Sequence, residues 1–171
     1  MDKDKKIAIV GPCIKHKKKD KTFFDYGGQV NLKLARATHI NNTKHIKNKV
    51  YYRDLVSAAC MLVRAKTLGR DGPFDEKYFM YLEDVDLCLE VRRNGYKIAN
   101  LSSSLIFHYG GTSITDMKKI YYSWLSSIRL TKKWTPRTYK PVSILYNSLF
   151  YPYLLITWSL KRVKRSLSKS Q

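Results

Sequence analysis

The chain has 171 residues, with 33 Lys and Arg against 13 Asp and Glu, a formal charge of +20. At 44% hydrophobic and 13% aromatic it is too rich in core-forming side chains for a disordered polyanion-binding tail, and its size fits one domain. Three scattered cysteines, Cys13, Cys60 and Cys88, form no CxxC pair, so neither a disulfide scaffold nor a structural zinc site is expected and a reducing compartment is the simpler setting.

The charge is unevenly placed. Residues 1–50 carry 13 basic and 4 acidic groups, residues 51–100 carry 8 and 8, and residues 101–171 carry 12 and 1. Such an excess suits an anionic partner (nucleic acid, membrane surface or phosphorylated ligand) or simply reflects lysines on solvated faces. No helix-turn-helix, zinc-finger or RNP pattern accompanies the basic runs, which disfavours nucleic acid. The N-terminus lacks the apolar core of a signal peptide, and no window is apolar enough for a spanning helix.

In chain order, Ile7–Val10 is expected to be a short buried strand ending at Gly11-Pro12. Lys15–Lys21 is expected to be an exposed loop, Asp25-Tyr26-Gly27-Gly28 a turn, and Asn41-Asn42 a loop. Ser57–Val63 reads as an interior strand, and Gly69–Pro73 as a second turn. Glu83–Asn94 has helical spacing, with acids in its first turn, Arg92 and Arg93 in its last, and Gly95 placed to cap it. Tyr96–Ala99 and Leu105–His108 read as two strands separated by Ser102–Ser104. Asp116–Lys133 reads as a helix capped by Thr115 and stopped by Pro136. Val142–Leu160 reads as helix with a kink or break before Pro152, and Lys161–Lys169 as a basic tail. Its aromatics and basic flank suit an interfacial helix on an anionic leaflet; a helix hairpin closing the core, or a partner interface, fits as well.

The densest chemistry is Glu83-Asp84-Val85-Asp86, three carboxylates at a helix start. Mutual repulsion raises the affinity of at least one for a proton, which suits a base near neutral pH; the bland alternative is a capping cluster.

Four pieces occur in order: Ser57-Ala58-Ala59-Cys60-Met61-Leu62-Val63-Arg64, Gly72-Pro73-Phe74-Asp75-Glu76, Glu83-Asp84-Val85-Asp86-Leu87, and His108-Tyr109-Gly110-Gly111. Together they resemble the acceptor-side, C-terminal half of the catalytic domain of family 2 glycosyltransferases, in the rhamnosyltransferase-like branch, over roughly residues 7–135. The resemblance implies an α/β fold, part of the GT-A nucleotide-diphospho-sugar transferase architecture, of three or four sheet strands over residues 1–135, with a C-terminal helical segment over residues 136–171. It implies inverting transfer from a nucleotide-sugar to the hydroxyl of a glycan or lipid-linked acceptor, in the cytoplasm or on the cytoplasmic face of a membrane.

Residue by residue, the resemblance makes Asp84 the base and Glu83 its orienting neighbour. Asp86 would anchor the helix start or a nearby arginine beside the acceptor and donor. Ala58, Ala59 and Cys60 would form the acceptor floor. Arg64 would face phosphate or solvate a strand end. His108 would stand near the metal and diphosphate, or simply end a strand with a backbone partner. Gly110 and Gly111 would let backbone approach the ligand. Mg²⁺ or Mn²⁺ would be the cofactor.

Two departures matter. No Asp-x-Asp motif follows an apolar strand upstream of residue 57; Asp2-Lys3-Asp4 has the letters without that setting. A separate donor-binding half is therefore expected, or an inactive remnant that binds a membrane or a partner. The family's Tyr-Tyr-x-x-Arg-Asn segment is here Tyr121-Tyr122-Ser123-Trp124-Leu125-Ser126, with Arg129 the nearest arginine. Alone, the chain is expected to transfer no sugar.

Overall fold

The computed structural model describes residues 1, 4–18, 21–69, 72–109 and 115–167. Six strands, β1 (Ile7–Lys18), β2 (Lys21–Asn31), β3 (Arg36–Asn42), β4 (Val50–Arg53), β5 (Leu62–Val63) and β6 (Lys97–Phe107), form one mixed sheet. Its order is β3-β2-β1-β6-β4, with β5 pairing the first half of β1. Among the described residues only β1 and β6 run parallel; the other pairings are antiparallel. Three α-helices of the described residues flank it: α1 (Glu83–Arg93), α2 (Asp116–Trp134) and α3 (Lys140–Leu167). The sheet is larger than the three or four strands expected.

The central strand does not end at Gly11-Pro12. β1 runs through both, because its ladder to β6 shifts register between Pro12 and Cys13, where a residue without an N–H is tolerated. The Pro12 carbonyl accepts from the Asn100 amide at 2.7 Å. Most of the lysine run is strand as well: Lys15–Lys18 continue β1 and pair antiparallel with β2, which opens at Lys21, while residues 19 and 20 lie outside the described residues. Asp25-Tyr26-Gly27-Gly28 lies inside β2, at a register irregularity against β3. Gly27 has φ +78°, and a Cβ there would meet the Leu55 carbonyl oxygen at 2.5 Å. A Cβ on Gly28 would sit 2.4 Å from the Thr38 carbonyl oxygen. The pair of glycines thus serves close strand packing rather than chain reversal. Asn41-Asn42 closes β3.

Ser57–Val63 is not an interior strand. Ser57–Cys60 is a turn closed by the Cys60 amide on the Ser57 carbonyl, and only Leu62 and Val63 pair, with β1. Lys97–Phe107 is one strand, β6, not two, with Tyr96 and His108 just outside its ends. Ser102 is buried within β6, and its hydroxyl both donates to the Lys49 carbonyl, at 2.9 Å, and accepts from the Lys49 amide, at 2.7 Å. Residues 70 and 71 of the Gly69–Pro73 segment lie outside the described residues.

α1 and α2 match their sequence signals. α1 begins at Glu83, and Gly95 follows its end at φ +82°. Val85, Cys88, Leu89 and Val91 pack with Ala8, Ile9, Leu55 and Ile98 of the sheet side and Leu130 of α2. The Thr115 hydroxyl caps α2 by accepting from the Lys118 amide. The break expected before Pro152 does not occur: α3 continues through it and takes in residues 161–167 of the expected basic tail. Thr131 bonds Ser143 at one end of the α2–α3 pair and Trp158 donates to Asp116 at the other, so the two helices run antiparallel. Among the described residues, no helix is long and apolar enough to cross a membrane.

Candidate active site

The carboxylate pair is delivered by a strained turn. Tyr81 and Leu82 have φ of +68° and +65°, a left-handed conformation that costs non-glycine residues on the order of 1–3 kcal/mol each. The strain is held from α2. The Ser126 hydroxyl donates to the Met80 carbonyl at 2.8 Å, Phe79 packs on Tyr122, and Arg129 is paired with Asp75. The nearest arginine to the lost family position therefore supports the loop that carries the carboxylates.

Asp84 accepts from its neighbour's amide, Val85, at 2.8 Å and from the Ala58 amide at 3.1 Å. Each carboxylate oxygen has one N–H donor, and a carboxylate offers about four lone-pair sites, so acceptor capacity remains on both. Glu83 and Asp84 line a hollow of about 760 Å³ with Ala58, Ala59, Tyr81 and His108. The Glu83 Oε2 atom is buried and has no hydrogen-bond partner among the described residues. Burial, reinforced by the Asp84 charge and opposed by its own backbone N–H, holds the Glu83 carboxyl above the usual glutamate range. An unpaired buried acceptor is costly, and a ligand hydroxyl would relieve it.

The remaining named residues divide. His108 is exposed at the end of β6, on the same hollow, its amide bonded to the Lys15 carbonyl. Cys60 is an exposed free thiol outside the lining. Arg64 is turned to the N-terminal strand, donating to the Met1 carbonyl at 2.8 Å and the Ile7 carbonyl at 3.3 Å. Asp86 is 3% exposed and is held by Tyr78, Lys133 and Trp134, away from the hollow. Gly110 and Gly111 lie outside the described residues.

The opposite wall was not legible in the sequence. β3 contributes Arg36 and His39, and α3 contributes Tyr146, Asn147, Phe150, Tyr151 and Leu154. Arg36 donates to the Tyr146 hydroxyl and lies 4.8 Å from the Phe150 ring centre. Asn147 donates to the Leu34 carbonyl at 3.2 Å, fixing α3 to the β2–β3 connection. His39 Nδ1 is 2.7 Å from Asp25, whose other oxygen accepts from the Gly27 amide.

The Asp25 hydrogen bond raises the His39 pKa above its ordinary 6.5; burial opposes this, and the charges of Asp25 and Asp84 add to it. A raised folded-state pKa means this contribution to stability is fully present below 6.5 and is lost as pH rises through the folded value. His39→Gln is therefore expected to flatten the pH dependence of unfolding. Denaturant midpoints at about pH 6 and about pH 9 should differ less in the variant than in the parent.

Among the described residues no group of three or more His, Cys, Asp or Glu is arranged to hold a metal ion. His108 has no set of ligand partners there, so these residues do not by themselves build a Mg²⁺ or Mn²⁺ site.

With this geometry in hand, the similarities are informative. Over 54 residues the chain is 41% identical to N-acetylglucosaminyl-diphospho-decaprenol L-rhamnosyltransferase of Mycobacterium tuberculosis (strain CDC 1551 / Oshkosh), a match covering 32% of this chain and 18% of that protein. Over 73 residues it is 37% identical to rhamnosyltransferase WbbL of Escherichia coli (strain K12), covering 41% of this chain and 28% of that protein. The chain thus spans less than a third of the length of these curated relatives. No family model and no solved structure matches it. Over part of its length the chain is related to rhamnosyltransferase-like family 2 glycosyltransferases, and that relationship points to sugar transfer.

Proposed function

We propose that the chain is the acceptor-side part of an inverting family 2 glycosyltransferase, with residues 1–135 forming part of a GT-A domain and residues 136–171 a helical segment. The observation that carries this reading is the hollow that joins Asp84, Glu83 and His108 over an Ala58–Ala59 floor. An acceptor hydroxyl in the hollow attacks the anomeric carbon of a nucleotide-sugar. The bond to the diphosphate oxygen breaks, the nucleoside diphosphate leaves with the electron pair, and Asp84 takes the hydroxyl proton. Glu83 orients the acceptor. The donor-binding half, and any Mg²⁺ or Mn²⁺ with it, comes from outside the described residues.

The mycobacterial relative is named for a diphospho-decaprenol-linked sugar, and the aromatic wall of Tyr146, Phe150 and Tyr151 suits a lipid-linked sugar or glycan here as well. The second reading is a catalytically inactive remnant of the same family that binds a membrane or a partner.

Acceptor recognition is tested by titrating short N-acetylglucosaminyl and rhamnosyl glycosides into labelled protein. Amide shifts are expected at Ala58, Ala59, Val85 and His108 by about 10 mM ligand, an affinity in the millimolar range. Shifts elsewhere only, or none, would remove the hollow as an acceptor site. Binding without transfer, once a donor half is supplied, selects the remnant.

A further inference from the structure

α3 has two faces. One walls the hollow through Tyr146, Asn147 and Phe150. The other carries Val142, Leu145, Leu149, Tyr153, Ile156 and Leu160, each between 53% and 64% exposed. Their intervals of three and four residues place them along one side of the helix for a length of about 27 Å. An apolar stripe of this size on an isolated chain marks a surface that is covered in use.

Charge identifies what covers it. From Pro141 to Leu160 the helix has no charged residue, Lys140 precedes the stripe, and Lys161, Arg162, Lys164 and Arg165 follow it in the same helix. No carboxylate occurs from Thr135 to the end of the chain. Pairing the stripe with a second copy would set cations against cations in either orientation, with no acid on the helix to offset them. An anionic lipid surface meets both demands: headgroups take the cations and the acyl boundary takes the stripe. Since α3 does not span, it lies in the plane of the interface.

We propose that α3 docks the protein flat on an anionic membrane through this stripe, which sets one wall of the Asp84 hollow about one helix diameter, roughly 10 Å, from the lipid. The inference rests on the exposed stripe and its flanking charges, and stands whether or not the hollow transfers sugar.

Flotation of the full chain with phosphatidylcholine vesicles, with and without phosphatidylglycerol, tests it. Binding to the anionic vesicles is expected to be at least about tenfold tighter than to neutral ones and to weaken in high salt. Two variants, Leu145→Glu/Leu149→Glu/Ile156→Glu and Lys161→Gln/Arg162→Gln/Lys164→Gln/Arg165→Gln, should each lose at least about tenfold in partitioning while keeping the parent melting temperature. No binding by the parent, equal binding to neutral vesicles, or undiminished binding by either variant would overturn the proposal. So would a parent dimer that the triple variant dissociates, with no vesicle binding by either. Should the triple variant not fold, Tyr153→Trp decides, read as its emission minus that of the parent's three tryptophans: the added emission should shift to the blue and be quenched by brominated lipid, and an unquenched, water-like difference overturns the proposal.

Discussion

Asp84→Asn is expected to lower sugar transfer by two to four orders of magnitude, the usual contribution of a positioned general base. The assay supplies the donor-binding half, on the same polypeptide or as a second protein, together with a nucleotide-sugar and a glycoside acceptor. The fold should survive. Asn retains an acceptor for the Ala58 amide and loses the bond from Val85, which costs about 1 kcal/mol. The melting temperature should therefore move by only a few degrees. The loss should fall on kcat and leave the acceptor KM nearly unchanged, because the proton moves only as the hydroxyl attacks. Glu83→Gln should show the reverse balance. Its proposed role is to orient the acceptor and not to take the proton, so acceptor KM should rise more than kcat falls. Transfer by Asp84→Asn at the parent rate would remove the base from this position.

The carboxylate segment was legible because its signals are local. Acids in the first turn, arginines in the last and a glycine beyond are all read within one helix, and α1 starts at Glu83 as they require. Thr115 capped α2 for the same reason. The sheet was hidden because its supports are distant in sequence. Pro12 stays in β1 through a register shift against β6, and Ser102 stays in β6 by exchanging hydrogen bonds with Lys49. Gly27 and Gly28 carry the strongest local turn signal, yet their lack of side chains answers the Leu55 and Thr38 carbonyls. Half of the hollow escaped for a related reason. His39 sits in an unremarkable stretch, and its significance comes from Asp25 across the hairpin and Asp84 beyond it. The C-terminal helix was read for its aromatics and flanking charge. Periodicity alone does not say which aromatics turn inward: Tyr146, Phe150 and Tyr151 wall the hollow beside Asn147, while Tyr153 lies exposed on the outer stripe.

Asp86→Ala is expected to do what Asp84→Asn does not: destabilise the fold strongly. Asp86 is a buried junction. One oxygen accepts from the Trp134 indole at 2.6 Å and the Tyr78 hydroxyl at 3.2 Å; the other accepts from Lys133 at 2.7 Å. These donors tie α1 to the end of α2 and to the loop that carries Tyr81 and Leu82. Burial, then the Asp86 charge and hydrogen bond, push the Tyr78 phenol well above its ordinary value, so it stays a donor across the working range. Truncation leaves an indole N–H and a phenol without partners. Lys133 is about a third exposed and can turn back to water. The cost is roughly 2 to 4 kcal/mol, below the full value for breaking a buried ion pair because of that escape. For a chain of this size that corresponds to a melting temperature lower by about 5–15 °C. Lys133→Met should cost less than half as much, since Asp86 keeps two neutral donors. Thermal denaturation of the two variants decides: an Asp86→Ala protein melting within about 2 °C of the parent would show that the junction carries no net stability. Two acids two positions apart in the motif then separate by readout, Asp84 through the rate of transfer and Asp86 through the melting temperature.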